Sequence, residues 1–364
     1  MYLETIPVYN YGLAPVSAIK GWSSFIWTER YQEVGEFEIR IPERNPNLLT
    51  YLDDYMDKFI KLPYSEETMI VEEITYEGGR DQSAVYIRGR DAKSILQRRV
   101  LVATSVIPYS VPTNEILLQV FNDEISNPSE LSRQIDLIAL DDPSSWSVHH
   151  LDYETKGKSV WDMFLYCAQI YKCGLRTYWK NGKIRFQFWK PKTRSGEDNT
   201  FPVVFNEELG TLSNIVYRKT SKTYRTSAYV HVEGGQNNSV VINEDVSNRY
   251  AKGLNRREMF VDPQWNNQTQ LVDNAGVRAT LRPYGVSALY EHAFYDNITG
   301  EITRNDLYSY GLNGDFYLGD RIAVEVGGRR QYARVKEYTY SWTIENGFTA
   351  YPTIDSTPAA DSFL

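Results

Sequence analysis

Histidine is the side chain best suited to proton transfer or metal binding at neutral pH, and the chain has 4 of them. His149 and His150 are adjacent and would point to opposite faces of a strand, while His231 and His292 each stand alone. No H-E-x-x-H motif occurs and no cysteine pair has the spacing of a zinc site. The sequence therefore predicts no metal centre.

Paired carboxylates are a second possibility, because glycoside hydrolases use two acids about 5–10 Å apart. The candidate acidic doublets are Asp53-Asp54, Glu72-Glu73, Asp141-Asp142 and Glu207-Glu208. Adjacent residues of a strand point to opposite faces, so no doublet forms a pair by itself. In a chain with 47 acidic residues, we expect these doublets on solvated faces. With no G-x-S-x-G or Gly-rich phosphate loop either, we predict no catalytic, cofactor-binding or metal-binding residue.

The charge balance argues against a surface that holds nucleic acid. The 364 residues include 47 Asp and Glu against 39 Lys and Arg, a net charge of −8, whereas DNA binding needs a basic face. A channel that DNA passes without sticking is compatible with this balance. The 28 tyrosines suit half-exposed strands at protein interfaces, or simply reflect β-propensity. We expect no membrane-spanning segment and no signal peptide.

Most of the chain has the pattern of β-strands. The run Glu36–Ile41 alternates charged and apolar residues, as a strand with one buried face does. The dipeptide Asn181-Gly182 between two aromatic-rich runs predicts a β-hairpin. Residues 202–205, 212–219 and 226–233 predict further strands.

Four segments have helical patterns. We predict a short helix over Asp91–Arg99 with Asp91 as its cap, and a second from Thr113 to Ile125. The longest, Ser159–Cys173, has a capping box at its start and Gly174 as its stop. Its two cysteines lie six residues apart and so on different faces, which predicts two reduced thiols. Residues 268–281 form a fourth candidate helix.

The sequence contains two segments that resemble each other, an approximate internal repeat that we call the echo. Lys58–Leu62 is followed by Val71–Tyr76 (VEEITY), and Asp320–Val324 is followed by Val335–Tyr340 (VKEYTY). Each pair then leads through a glycine-containing turn into another strand. The spacing is too wide for a solenoid, which needs several short repeats. It predicts two related β-domains, one near each end; the alternative is a chance similarity at six positions.

The order of several runs resembles the tail-hub proteins of long-tailed, siphovirus-like phages, also called the siphovirus ReqiPepy-type tail proteins. These runs are Trp27–Tyr31 with Gly35–Phe37, Ile87–Asp91, the Ser159–Cys173 helix with its hairpin, Val204–Gly210, and Leu318–Ile322. The family is similar in fold to the baseplate hubs of contractile-tailed phages. The resemblance covers nearly the whole chain.

The resemblance implies a mainly β fold with inserted helices (α+β), in which two related tube-type β-barrel domains accompany smaller α/β hub domains. The expected segments are a first tube-type domain at 1–90, completed by 201–250; a helical or loop insertion at 91–155; a helix-plus-hairpin hub domain at 156–200; a second tube-type domain at 201–355 with a helical insertion near 266–282; and a C-terminal tail at 356–364.

The resemblance also implies a structural virion protein without enzymatic activity. It would form a homotrimeric hub that closes the distal end of the tail tube and contributes to the DNA-ejection channel. Expected partners are the distal tail protein, the tube ring, the tape measure protein, and tail-tip fibre or receptor-binding proteins. DNA would pass without specific binding. We expect assembly in the host cytoplasm and residence at the tail tip.

Two other functions stay open at the level of sequence. A cell-wall-degrading enzyme lacks a nucleophile, a metal set and a Gly-rich loop here, and relatives with a lysin extend beyond the length of this chain. A carbohydrate- or receptor-binding module would use the abundant Trp and Tyr, but it does not predict the two-ended echo. Neither alternative explains the order of runs as well as the tail hub does.

The acidic balance leads to one site hypothesis. If the chain lines a channel, we expect an acidic or neutral wall, because each Lys or Arg facing the lumen would attract the passing polyanion. The echoed strands suggest Glu72, Glu73 and Glu337 as lumen-facing candidates. Strand alternation predicts that only one of Glu72 and Glu73 faces the lumen. The alternative is that these acids face outside solvent or pair with arginines such as Arg321.

Overall fold

The fold is known from a computed structural model. It describes residues 5–42, 53–79, 83–102, 112–143, 155, 157–196, 202–234, 240–247, 251–263, 273, 275–292, 295–302 and 307–356. His149, His150 and all but the first residue of the predicted C-terminal tail lie outside these ranges. The fold is mainly β with a few helices, which confirms the predicted α+β class.

The strands are β1 (Thr5–Tyr9), β2 (Pro15–Lys20), β3 (Ser24–Arg30), β4 (Glu36–Pro42), β5 (Phe59–Ile60), β6 (Met69–Glu77), β7 (Ala84–Asp91), β8 (Ile138–Leu140), β9 (Gly174–Lys180), β10 (Lys183–Trp189), β11 (Thr193–Arg194), β12 (Val204–Asn206), β13 (Leu212–Thr220), β14 (Ser227–Gly234), β15 (Val240–Ser247), β16 (Glu258–Val261), β17 (Tyr295–Ile302), β18 (Arg321–Val326), β19 (Arg329–Thr343) and β20 (Gly347–Ser356). The α-helices are α1 (Thr113–Phe121), α2 (Val160–Ile170) and α3 (Ala275–Glu291). Short 3-10 helices span Asp53–Tyr55, Ala92–Arg98, Leu131–Arg133 and Gly253–Asn255, and a π-helical turn, Asn122–Ser126, extends α1.

The chain divides into two compact units. The first comprises Met1–Ser213, Glu301–Arg330 and Arg334–Ile354, and the second comprises Asn214–Gly300, Gln331–Ala333 and Asp355–Leu364. The five segments expected from the sequence stay a prediction as domains.

A 12-stranded sheet dominates the first unit, in the order β11-β18-β19-β3-β4-β7-β6-β5-β1-β2, with β12 also on β18 and β20 on β19. Its central strands are antiparallel, so that Trp27 of β3 lies between Phe37 of β4 and Tyr340 of β19. These side chains are buried, as are Phe25 and Ile39. Alternation along each strand therefore leaves the opposite face of the sheet to polar residues.

Both copies of the sequence echo lie in this one sheet. Strand β6 pairs with β5 and β7, and β19 pairs with β18 and β20, so each copy is a three-stranded meander. The strands β3 and β4 stand between the two meanders. The sheet thus joins strands that the sequence assigned to two separate barrel domains.

Helices α1 and α2 form a second core in the first unit together with the small sheet β8-β10-β9. The predicted capping box of α2 is present: Ser159 Oγ accepts from Asp162 N, and Asp162 accepts from Ser159 N at 2.7 Å. The predicted hairpin is also present, and both turn residues, Asn181 (φ 55°) and Gly182 (φ 69°), have the positive φ that a tight hairpin turn requires.

The predicted end of the long helix is wrong by three residues. The helix stops at Ile170, and Lys172, rather than the expected glycine, adopts the left-handed conformation (φ 52°) after it. Gly174 instead opens β9, where a Cβ atom would collide with the Trp189 ring. Cys167 lies in the helix and Cys173 lies after it, and both are buried and unbonded to each other.

The second unit is a small sheet, β15-β14-β16, covered on one face by α3. The predicted helix at 268–281 is correct only in part, since α3 starts at Ala275 and continues ten residues further, to Glu291. Residues 268–272 lie outside the described ranges. Helix α3 packs closely on the sheet at Gly285, where a Cβ would lie 2.7 Å from Val246 Cγ2. Strand β13 pairs with β17 in a separate ribbon.

Candidate functional site

The polar face of the large sheet is the strongest candidate for a functional surface. Three clusters of arginine and carboxylate residues extend across β19, β3, β4, β7 and β6. We call this surface the charged face and define it by Arg30, Glu36, Glu38, Asp57, Glu72, Glu73, Arg88, Arg90, Arg98 and Glu337.

The first cluster centres on Arg30 at the end of β3. Its Nε donates to Glu337 Oε1 at 2.7 Å, and its Nη2 donates to Glu36 Oε1 at 2.6 Å. Glu337 is also the backbone partner of Arg30 in the β19–β3 register. The guanidinium thus joins three strands, and these bonds outweigh its partial burial and raise its pKa.

The second cluster centres on Arg88 of β7, which lies between Glu38 of β4 and Glu73 of β6. Arg88 Nε donates to Glu38 Oε2 at 2.6 Å, and Nη1 donates to Glu73 Oε1 at 2.8 Å. All three residues are direct cross-strand partners. Hydrogen bonds from Thr75 and Arg88 lower the pKa of Glu73, so this carboxylate is ionised at neutral pH.

The third cluster centres on Glu72. Its carboxylate accepts from Arg90 Nε at 2.6 Å and from Arg98 Nη2 at 3.0 Å, and Arg98 lies 3.3 Å from Asp57. Burial opposes ionisation of Glu72, but the hydrogen bonds from Arg90 and Arg98 outweigh it and lower the pKa.

A β-bulge places Glu72 and Glu73 on the same face of the sheet. In the β6–β7 register Val71 lies opposite Gly89 and Glu73 opposite Arg88, which leaves Glu72 as the extra residue. The expectation that alternation sends these two carboxylates to opposite faces is therefore wrong. Gly89 permits the bulge, because a Cβ there would collide with the carbonyl oxygen of Ile70.

The three candidate acids thus share one surface, where their ion pairs are formed with arginines of neighbouring strands and of the 3-10 helix after β7. All four arginines of the charged face are held by at least one of its six carboxylates. Arg40 also lies on this side of β4 and donates to Ser23 Oγ at 2.9 Å. Glu72, Glu73 and Glu337 each pair with an arginine, as one of the alternatives drawn from the sequence expected.

A second group of charges is buried behind the sheet. Glu29, Glu67, Asp91 and Lys93 are all at most 2% exposed. Lys93 Nζ lies 3.1 Å from Asp91 Oδ2 and donates to Arg30 O at 3.0 Å. We call these four residues the buried carboxylate cluster. One cation faces three carboxylates, so the cluster is short of positive charge.

Glu29 and Glu67 of this cluster are satisfied mainly by neutral donors. Glu29 accepts from Ser65 and from the Tyr310 hydroxyl at 2.8 Å, and Glu67 accepts from Thr177 Oγ1 at 2.6 Å. Burial nevertheless raises the pKa of all three carboxyls, that of Glu67 to about 7. A raised pKa is typical of general acids, but these groups are closed off from solvent.

Sequence reasoning missed the buried carboxylate cluster, although one signal was available. Strand β3 places Glu29 in the same alternation as Phe25 and Trp27, both of which face the core. An acid in that position predicts a buried, hydrogen-bonded carboxylate. Glu67 lies outside any strand, so no periodicity pointed to it.

The remaining candidate groups do not converge. His231 contacts Asn243 and Glu233, and His292 contacts Ala288 O. Asp141 binds Arg185 and Tyr178. The described residues contain no group of three or more His, Cys, Asp or Glu side chains suited to a metal ion. Of the helices in the described part of the chain, none has the length and apolar character needed to cross a membrane.

The fold is shared with several tail proteins of known structure, two of which are prophage proteins. A tail protein from Neisseria meningitidis MC58 is 10% identical over 100% of both chains, with a TM-score of 0.60. The 43 kDa tail protein of prophage MuSo2 from Shewanella oneidensis is 12% identical over 99% of this chain and 100% of that one, also with a TM-score of 0.60. The prophage tail protein gp18 from Listeria monocytogenes EGD-e is 11% identical over 97% and 94%, with a TM-score of 0.54.

Comparison with curated proteins gave no significant match. A family model, by contrast, matches almost the whole sequence, over residues 5–354. That span includes the charged face, the buried carboxylate cluster, the first meander and all but the last two residues of the second. The chain therefore belongs to the siphovirus ReqiPepy6 Gp37-like protein family.

Proposed function

We propose that this chain is a structural protein of the phage tail that forms a homotrimeric hub at the distal end of the tail tube. Membership of a siphovirus protein family and a fold shared with tail proteins support the coarser statement, a structural tail protein. The observation that carries the hub proposal is the charged face, on which carboxylates hold the arginines.

The threefold state is supported by the two meanders. Strands β5–β7 and β18–β20 give each chain two similar units in one sheet. Three chains around an axis would present six such units, which matches a sixfold ring above them. Closed cyclic symmetry is the usual arrangement of soluble homo-oligomers.

The charged face is the proposed wall of a DNA-ejection channel, with Glu72, Glu73 and Glu337 towards the lumen. An arginine that binds a phosphate releases counterions, and each such ion pair holds DNA more tightly. Arg30 and Arg88 each pair with two carboxylates, whose negative charges offset the attraction of the guanidinium groups for phosphate. Such a wall is polar and weakly acidic, and DNA slides along it.

The proposed partners follow from this position. The hub would contact the distal tail protein and the tail tube ring on one side, and tail-tip fibres or receptor-binding proteins on the other, with the tape measure protein inside. We place it at the tail tip of the virion after assembly in the host cytoplasm. We propose no enzymatic activity, since the carboxylates with raised pKa lie in a closed core, where a substrate cannot reach them.

A cryo-EM map of the assembled tail tip tests this proposal. We expect three copies of the chain around the tail axis, with the charged face lining the channel. A map in which the charged face points outward, or in which Lys and Arg line the lumen, would contradict the proposed wall. A single copy at the tip would contradict the trimer.

A further inference from the structure

A surface patch of the first unit combines an arginine with three exposed apolar side chains. Val100, Val102 and Leu131 are 55%, 63% and 74% exposed. Arg133 Nη2 donates to Val100 O at 2.8 Å, and Arg99 Nε donates to Arg133 O at 3.0 Å, so the two segments are joined. We call Arg99, Val100, Val102 and Leu131 the basic-apolar patch.

The backbone beneath the patch is firmly anchored. Val100 forms an antiparallel bridge with Ser159 at the start of α2. Val102 N donates to the buried carboxylate of Glu124 at 2.7 Å. The three apolar side chains are therefore presented on an ordered backbone, which is compatible with a protein interface.

Charge is unbalanced at this patch. Arg98 pairs with Glu72 and Asp57, and Arg133 Nη2 lies 2.7 Å from Glu124 Oε2. Arg99 donates to the carbonyl oxygens of Arg133 and Arg98, and no carboxylate among the described residues pairs with it. Its pKa is lowered by burial and then by the two neighbouring arginines. A carboxylate from a second copy would favour the charged guanidinium and so oppose both effects.

The same unit exposes a turn with the complementary chemistry. Glu207 and Glu208 are exposed, and Leu209 beside them is 53% exposed. The turn is ordered, since Leu209 N donates to Asn206 Oδ1 at 2.7 Å and Gly210 N donates to Glu207 O at 2.9 Å. Neither carboxylate forms an ion pair within the described part of the chain. We call residues 207–209 the acidic turn.

We propose that the acidic turn of one copy docks on the basic-apolar patch of the next copy around the ring, with Glu207 or Glu208 against Arg99 and Leu209 among Val100, Val102 and Leu131. This contact rests on the proposed trimer and specifies how its subunits meet. Two different surfaces of one chain form a heterologous contact, and such a contact closes into a ring when the rotation between neighbouring copies is a whole fraction of a turn, here one third. The charge pair fixes the register of the contact, and the apolar side chains exclude water.

Charge reversal tests the contact. Native mass spectrometry and light scattering over a range of concentrations would compare wild type with Arg99→Glu, with Glu207→Lys/Glu208→Lys, and with all three changes together. We expect either reversal alone to weaken trimer formation by about tenfold or more, and the combined variant to regain most of it. Lys183→Glu, at the exposed start of β10, and Glu345→Lys, in an exposed turn, are matched controls that should leave assembly unchanged.

The outcomes separate this contact from the hub itself. A wild-type trimer that the reversals do not weaken, or that the combined variant fails to restore, contradicts the docking and leaves the trimer standing. Reversals that spare self-association but block tail assembly would assign the patch to another partner, contrary to the proposal. A wild-type chain that stays monomeric at every concentration contradicts both.

Discussion

Glu72 and Glu73 are neighbours in the sequence, yet both carboxylates bind arginines on the same face of β7. Glu72 Oε2 lies 2.6 Å from Arg90 Nε, and Glu73 Oε1 lies 2.8 Å from Arg88 Nη1. The bulge at Glu72 makes this arrangement possible, and it places a second carboxylate on the charged face beside Glu73.

Gly89→Ala should destabilise the first unit, because the added Cβ collides with the Ile70 carbonyl opposite the bulge. We expect a loss of about 1–3 kcal/mol in the free energy of unfolding, the usual range for forced backbone shifts. Urea denaturation measures it. Gly12→Ala, at an exposed turn where the nearest atom would lie at 3.3 Å, is the control. Equal midpoints for the two variants would show that the bulge accepts a side chain.

Releasing Arg88 should create affinity for DNA. The double variant Glu38→Gln/Glu73→Gln removes both carboxylates that hold this guanidinium. We expect salt-sensitive binding of nonspecific duplex DNA, with a slope of log K against log salt that is steeper by about 0.9 for each additional phosphate that the protein neutralises. Fluorescence anisotropy measures it.

The control for this experiment adds Arg88→Gln to the double variant, which should abolish the new affinity. The effect on stability should be small, since exposed ion pairs contribute about 0–1 kcal/mol each. Unchanged DNA binding in the double variant would mean that the ion pairs do not mask Arg88.

Glu67 should make the stability of the first unit depend on pH. Burial raises its pKa to about 7, with Lys93 favouring ionisation and Asp91 and Glu29 opposing it. Thr177 and Arg176 of β9 and the Tyr317 hydroxyl also lie in this region. The folded state therefore holds the proton more tightly than the unfolded chain, and stability present at acidic pH is lost as pH rises towards 7.

Glu67→Gln should flatten this profile, with a difference on the order of 2 kcal/mol between pH 5 and 7.5. Thermal or urea unfolding across that range measures it. Glu66→Gln is the matched control, because the neighbouring carboxylate is half exposed and pairs with Arg176. If the free energy of unfolding depends on pH in the same way in wild type and Glu67→Gln, the raised pKa of Glu67 is contradicted.

Lys93→Met should be strongly destabilising at neutral pH. Lys93 and Asp91 are both fully buried, and the lysine is the one cation of the buried carboxylate cluster. Removing one partner of a buried pair costs about 3–5 kcal/mol. Lys93→Met/Glu67→Gln should recover part of this loss, because one uncompensated charge is removed. No recovery in equilibrium unfolding would indicate that packing, not charge, explains the loss.

Local elements were predictable from the sequence, because their signals lie within a few residues. The capping box at Ser159 and the Asn181-Gly182 turn depend only on neighbouring atoms, and both are present. Asp91 also caps the following helix by accepting from Lys93 N, as predicted.

Features that depend on distant strands were not predictable. The bulge at Glu72 is defined only relative to β7, and Glu337 meets Arg30 across 307 residues. Helix α3 passes through Pro283 and Gly285, which disfavour helix, because Leu281 and Leu289 pack against β14 and β15. Periodicity within one segment contains no information about such partners.

A cryo-EM map of the assembled tail tip tests the central claim most directly. The account predicts three copies around the tail axis, with Glu72, Glu73 and Glu337 directed to the channel and Arg30 and Arg88 still paired with their carboxylates. A strictly monomeric chain at the tip, or a lumen lined mainly by Lys and Arg, would contradict it.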